Sequence, residues 1–217
     1  MSGSAWTNRC GMTKAEYMHA QAAGRENRPA AFLDRLRLDF IGRIRAHLMH
    51  GRDWRKADLT GWILTEKFDG VRLFWDRSRA WTRQGNEIAL PTWFLDQIPR
   101  IVADGELWAG YGHRKVAVRA ARTGDFPITI RFQIFDTWGG APWVARTQAL
   151  REALLERPQC NVSLVPHWIA DSTAHARQQA LGIICQGGEG IMAREPRSGY
   201  VSGRTKLLLK IKAKQVA

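Results

Sequence analysis

Lys67 stands among residues that could make its amine reactive. It lies in Thr65-Glu66-Lys67-Phe68-Asp69-Gly70-Val71-Arg72, with an apolar run before it (Trp62-Ile63-Leu64) and another after it (Leu73-Phe74-Trp75). A lysine in a short polar loop between two apolar runs is not placed there for packing, and it reads as a nucleophile. Such a lysine must lose its proton, because an ordinary one is charged near neutrality. Four further clusters follow in order: Asp104-Gly105-Glu106-Leu107-Trp108, Phe132-Gln133-Ile134-Phe135-Asp136, Glu189-Gly190-Ile191-Met192-Ala193-Arg194 and Leu209-Lys210-Ile211-Lys212. Each has a plainer reading as a turn, a strand or a solvated edge. The five together in this order do not.

The elements that must position these residues follow from periodicity and turn signals. Strands are expected at 62–67 and 71–76 on either side of the lysine, then at 79–83 and 87–90 around the turn pair Gly85-Asn86. Further strands are expected at 104–108, 128–135, 162–165, 190–193 and 207–211. Helices are expected at 91–98, where Pro91 suits a first turn, at 115–122 as a short basic helix, at 144–156, and at 172–181 with Ser172 as N-cap. Upstream, 14–23 reads as a short helix. In 30–50 the spacing of Phe32, Leu33, Leu36, Phe40, Ile41, Ile44 and Leu48 is helical. The pattern predicts an α+β fold of short, antiparallel strands flanked by helices, with a basic, partly helical N-terminal extension over 1–55 and one domain over 56–217. The dinucleotide glycine fingerprint and the phosphate-binding loop of P-loop proteins are both absent.

Composition narrows the partner. Lys and Arg number 33 against 20 Asp and Glu, a formal net charge of +13. A surplus of this size points first to a polyanion, and nucleic acid leads. The sequence has no apolar run long enough to span a bilayer, so no membrane is expected. Cys10, Cys160 and Cys185 form no C-x-x-C pair, which argues against zinc and a disulfide framework. His113, His167 and His175 are isolated and read as surface or packing residues. No secretory signal is visible, so the expected setting is cytoplasmic.

From about 59 to 215 the sequence resembles the covalent nucleotidyltransferase superfamily, which includes ATP-dependent DNA ligases, RNA ligases and mRNA capping enzymes. The detail around Lys67, the run Thr82-Arg83-Gln84-Gly85-Asn86 and the D-G-E-L-W-A-G stretch are most similar to minimal ATP-dependent DNA ligases of bacteria and viruses. The resemblance implies an ATP-grasp-like adenylation domain whose Lys67 attacks the α-phosphorus of ATP to form lysyl-AMP. AMP would then pass to a 5′-phosphate at a nick, and the 3′-hydroxyl would seal the strand, as in DNA replication, repair and recombination. Lys210 and Lys212, two apart on a strand and so on one face, would clamp the phosphates. With Mg²⁺ or Mn²⁺ they would depress the pKa of Lys67. Arg72 and Glu106 would hold the ribose and nucleotide, Phe135 would stack on adenine, and Thr65 and Glu66 would line its edge. Glu189 would work with the metal. Asp69 would bind metal, orient the lysine or simply make the turn. Arg83 and Arg204 would grip the nucleic acid. Core packing is the alternative for Phe135, and a solvated hairpin the alternative for Arg83.

Ligases of this kind carry an oligonucleotide-binding (OB-fold) barrel after the paired-lysine strand, and the sequence ends at Ala217. No C-terminal OB-fold is therefore expected here: the sequence reads either as an isolated catalytic domain or as a natural short form in which a separate clamp partner or the basic segment 25–56 supplies the missing grip. The expected species is a monomer acting on nicked duplex DNA. An RNA ligase or RNA end-modifying adenylyltransferase, and a nucleic-acid-binding relative with weak turnover, remain the alternatives. GTP specificity is the least favoured.

Overall fold

The structure is a computed structural model that describes residues 47–157 and 160–216. The helix expected at 14–23 and most of that expected at 30–50 lie outside the described residues, as does most of the segment 25–56. The described residues belong to one compact unit. In chain order its elements are β1 (Met49–Asp53), β2 (Ile63–Glu66), β3 (Val71–Trp75), β4 (Ala80–Thr82), β5 (Glu87–Ile88), α1 (Thr92–Leu95), β6 (Ala103–Trp108), α2 (Arg114–Thr123), β7 (Arg131–Asp136), α3 (Trp143–Leu155), β8 (Val162–Leu164), β9 (His167–Ile169), α4 (Thr173–Cys185), β10 (Gly190–Arg194), β11 (Gly203–Lys212) and α5 (Ala213–Val216).

These strands build two sheets. One runs β1-β11-β10-β2-β9 and the other β5-β4-β3-β6-β7-β8. The α+β expectation holds, with two departures. The pairs β1–β11 and β7–β8 are parallel, so neither sheet is purely antiparallel. β2 and β3, adjacent in sequence, belong to different sheets. The loop that carries Lys67 is therefore where the chain crosses from one sheet to the other.

Each sheet has its own apolar core. Leu73, Leu107, Phe132 and Ile134 of the six-stranded sheet pack with Phe94 of α1, Ala117 and Ala120 of α2, and Leu150 of α3. Leu64, Ile191, Ala193, Leu209 and Ile211 of the five-stranded sheet pack with Ala176, Ala180 and Ile183 of α4. Alternation along the strands sends one set of side chains into these cores and leaves the other set facing a cleft.

β1 corrects one expectation. The helical spacing expected to reach His50 gives way to a strand by Met49. The reason is tertiary: β1 finds an edge on β11, with Met49 opposite Gly203 and Asp53 opposite Lys210. Gly203 N–H also donates to the Leu48 carbonyl at 3.0 Å, and Leu48 and Met49 are buried. A strand that reads as part of the extension is thus built into the sheet. β9 and α5, also unmarked in the sequence, are short elements at the edge and end of the same sheet. α4 begins as expected: the Ser172 hydroxyl accepts from the His175 N–H at 3.1 Å, satisfying one of the first-turn donors.

Candidate active site

The two sheets face each other across a cleft of about 830 Å³. Thr65, Glu66, Lys67, Asp69, Arg72, Arg83, Glu106, Phe135, Glu189, Arg204, Lys210 and Lys212 all line it. Every site residue expected from the sequence is therefore gathered at one place.

Lys67 sits just after β2, and its backbone N–H donates to the Gly190 carbonyl at 2.9 Å. That bond continues the β2–β10 pairing past the strand end and aims the side chain at Glu189. Two tight backbone approaches hold this corner. A Cβ on Gly190 would fall 2.1 Å from the Ile211 carbonyl oxygen, and the residue has φ +130°. A Cβ on Gly70 would fall 1.9 Å from the Leu107 carbonyl oxygen. Only glycine allows either approach.

The Lys67 ammonium donates to one oxygen of Glu189, and the Lys212 ammonium is paired with the other. Burial raises the pKa of Glu189, but the hydrogen bonds from Lys212 and Lys67 outweigh it and hold the carboxyl below its ordinary value. The expected environment for Lys67 was a set of cations; the structure puts a carboxylate between it and Lys212. Lys210 turns the other way and pairs with Asp53 of β1 at 3.1 Å, with Lys214 at 3.7 Å from the same carboxylate. The two lysines share a face of β11 but hold different acids.

Arg72 is largely consumed by protein contacts. Its Nε donates to Asp104 Oδ1 at 2.8 Å, its Nη2 to Asp104 Oδ2, and its Nη1 to the Met49 carbonyl at 2.9 Å. Burial opposes its charge, and the Asp104 carboxylate more than offsets this, raising its pKa. The Tyr200 hydroxyl donates to the same Asp104 at 2.6 Å and accepts from the Met49 N–H at 3.0 Å. This network ties β3 and β6 of one sheet to β1 and the β10–β11 loop of the other. The Arg72 guanidinium also lies 5.4 Å from the centre of the Phe135 ring. Phe135 is only partly buried, while Phe132 on the same strand is fully enclosed. That contrast disfavours the core reading of Phe135.

Two more carboxylates face the cleft. Glu106 accepts from the Gly70 N–H at 3.2 Å. Burial pushes its carboxyl up to about 7, against the pull of Arg72 and Lys67. Burial also raises the pKa of Glu66, and Tyr111 acts in the opposite direction. Glu66 Oε1 is buried with no hydrogen-bond partner. Asp69 is exposed and paired with Arg114 at 3.2 Å. Among the described residues no group of three His, Cys, Asp or Glu side chains is arranged to hold a metal by protein ligands alone.

No protein-family profile matches the chain. Over 168 residues it is 27% identical to a DNA ligase of Haemophilus influenzae, an alignment that covers 76% of this chain and 63% of the relative. The chain thus spans a little under two thirds of that relative's length. Among solved structures, one from a structure–function study of Lig E DNA ligases is similar at TM-score 0.70 and 25% identity, covering 76% of this chain and 68% of that one. The Chlorella virus DNA ligase–adenylate gives TM-score 0.66 at 18% identity, covering 77% and 67%. The ATP-dependent DNA ligase of bacteriophage T7, complexed with ATP, gives 0.60 at 14%, covering 78% and 69%. These last two likenesses are likenesses of fold.

The chain shares its fold with these DNA ligases.

Several cleft residues of this domain were not singled out from the sequence. Asp104 could have been: it is two residues from Glu106 on β6, so it shares that residue's face. Met192 on β10, and Arg114, Val118 and Arg122 on α2, also line the cleft. Tyr200 and Met49 carried no local signal, because a loop and an unrecognised strand bring them in. Two of the isolated histidines make local contacts. His167 stacks edge-on against Trp143 at 5.0 Å, and His175 accepts from the Asp171 N–H at 3.2 Å. Among the described residues no helix is long and apolar enough to cross a membrane.

Proposed function

We propose that this chain is the catalytic domain of an ATP-dependent DNA ligase. The observation that carries the proposal is the meeting of Lys67, Glu189 and Lys212, from three separate segments, on one carboxylate in the cleft. An amine with an adjacent cation and an acid, beside an aromatic ring, suits attack on a nucleotide phosphate.

In this reading the adenine lies against Phe135, with its exocyclic amine donating to Glu66 Oε1, which has no protein partner. The ATP phosphates lie toward Lys212 and Lys210 and compete with Glu189 for Lys212 and with Asp53 for Lys210. Lys67, released from Glu189 and deprotonated, forms a bond from Nζ to the α-phosphorus as the bond to the bridging oxygen breaks and pyrophosphate leaves. Lys212 stabilises the charge that develops on the phosphoryl oxygens. Glu106 supports the Gly70 corner beside the nucleophile. Arg72, engaged by Asp104, acts more as the fixed wall behind Phe135 and the ribose than as a mobile clamp. AMP then passes to the 5′-phosphate of a nick held by Arg83 and Arg204. The 3′-hydroxyl attacks that phosphate, sealing the strand and releasing AMP.

With the ATP phosphates drawing Lys67 and Lys212 away, Glu189 would be the carboxylate that holds Mg²⁺. Mg²⁺ keeps several waters and needs only one or two carboxylates beside substrate phosphates. When bound, Mg²⁺ or Mn²⁺ would neutralise phosphate charge. Asp69, paired with Arg114, is the less suited donor. Nicked duplex DNA is the proposed substrate, a monomer the working unit, and the cytoplasm the setting.

Incubation with α-labelled ATP and Mg²⁺ tests the proposal. A labelled protein adduct is expected from the parent and none from Lys67→Ala, followed by sealing of nicked DNA in preference to nicked RNA. No adduct from the parent removes the enzyme reading, and sealing confined to RNA replaces the substrate.

A further inference from the structure

We propose that the exposed face of α2 is a docking track for the sugar–phosphate backbone of the duplex beside the nick, an inference that rests on the ligase reading above. Arg114, Val118, Ala121 and Arg122 stand at i, i+4, i+7 and i+8 of one helix, which places them on one face. All four line the same cleft as Lys67, together with Arg83 and Gln84 of the β4–β5 turn. The helix is firmly seated, because Ala117 and Ala120 on its inner side are fully buried in the core of the six-stranded sheet.

The charges on this helix are divided by face. Arg119, which is not among the cleft-lining residues, pairs with Asp125 at 3.0 Å. Arg114 reaches Asp69 at 3.2 Å and so joins the start of the helix to the nucleophile loop. Arg122 has neither an ion pair nor a hydrogen bond among the described residues. It is exposed at the cleft, in a chain of net charge +13. An unpaired guanidinium there complements a polyanion.

The spacing suits a strand rather than a second nucleotide. From Arg114 to Arg122 the helix rises about 12 Å, or roughly three to four base-pair steps of a duplex. Two arginines at that interval meet phosphates several nucleotides apart on one backbone. Val118, 38% exposed, and Ala121 lie between them and offer apolar contact to sugars. Neither of the apolar pair can hydrogen-bond to base edges, and phosphate contacts position a duplex without selecting sequence. That is what a nick-sealing enzyme requires.

Binding of a fluorescent nicked DNA duplex, measured by anisotropy across a salt series, tests the track. The comparison is between the parent, Arg122→Ala, Arg122→Glu and Val118→Glu, with Arg119→Glu as the same charge change on the face away from the cleft. Each preparation is first scored for lysyl-AMP formation, which reports an intact fold and nucleotide site. Arg122→Ala is expected to bind roughly fivefold more weakly, with a salt slope shallower by about 1. Arg122→Glu and Val118→Glu should lose more, and Arg119→Glu should stay close to the parent. If adenylating Arg122→Ala keeps the parent's affinity and slope, or Arg119→Glu loses as much as Arg122→Glu, the track is overturned while the ligase reading stands. A parent that adenylates but binds no nicked duplex also overturns the track. A parent that forms no lysyl-AMP overturns the ligase reading on which it rests.

Discussion

Glu106 shows how a single side chain couples the site to stability. Its carboxyl has an ordinary value of 4.5 and is pushed up to about 7 in the folded protein, chiefly by burial. Between those values the native state holds a proton that the unfolded chain has lost. The stability associated with the protonated form is present below the unfolded value and is lost as pH rises through about 7. The full effect is at most about 3 kcal/mol. Glu106→Gln should therefore be more stable than the parent at pH 8 and similar to it near pH 4.5, a difference readable from melting temperatures across pH. If the two melting curves run parallel, burial of Glu106 is not costing the fold its charge.

At the scale of elements, the site depends on two strands meeting at glycine. Gly190 opens β10, accepts the Lys67 N–H, and lies against the Ile211 carbonyl of β11. Gly190→Ala must move backbone, because the new carbon would meet main chain and the positive φ disfavours any L side chain. A loss of about 3 kcal/mol or more is expected in urea unfolding. The larger consequence is local: Glu189 and Lys67 separate, so lysyl-AMP formation should fall further than the folded fraction does. Equal losses in the two measurements would mean that β10 does not position the pair. α2 and the β4–β5 turn, by contrast, touch the cleft with surface side chains, so changes there should alter nick binding and leave the fold in place.

At the scale of the molecule, buried charge spans the two sheets. Asp136 of β7 is fully buried. It accepts from Arg146 of α3 at 2.8 and 3.1 Å, and it pairs with Arg194 of β10 at 2.9 Å. Arg146 and Arg194 are themselves 3% and 6% exposed. Asp136→Ala would leave two guanidinium groups buried without their carboxylate, at a cost of about 3–5 kcal/mol. Chemical denaturation should show that loss. It should also show a less cooperative transition, because the sheets have separate apolar cores and this triad is one of the contacts between them. A single transition with an unchanged midpoint would mean that the sheets are held by other contacts. The Arg72–Asp104–Tyr200 network bridges the same gap nearer the site, so fold and proposed nucleotide pocket share their polar struts.

Alternating apolar residues and turn pairs were enough to place β2 to β8, α2 to α4 and the last two long strands. The resemblance to the nucleotidyltransferase superfamily named many of the cleft residues from Thr65 to Lys212, though not Asp104, Met192, Tyr200 or the face of α2. Both rest on local properties: a period of two puts Lys210 and Lys212 on one face whatever lies opposite. Partnership is not local. That Lys67 meets Glu189 rather than a bare cluster of cations depends on β2 pairing with β10. That Arg72 is already committed to Asp104 depends on the register of β3 against β6. That 49–53 is strand rather than helix depends on an edge of β11 more than 150 residues away. The sequence by itself determined which residues could do the chemistry. Only the tertiary structure decided which charges face one another, because pairing across a cleft is set by sheet register and by backbones that meet far apart in the chain.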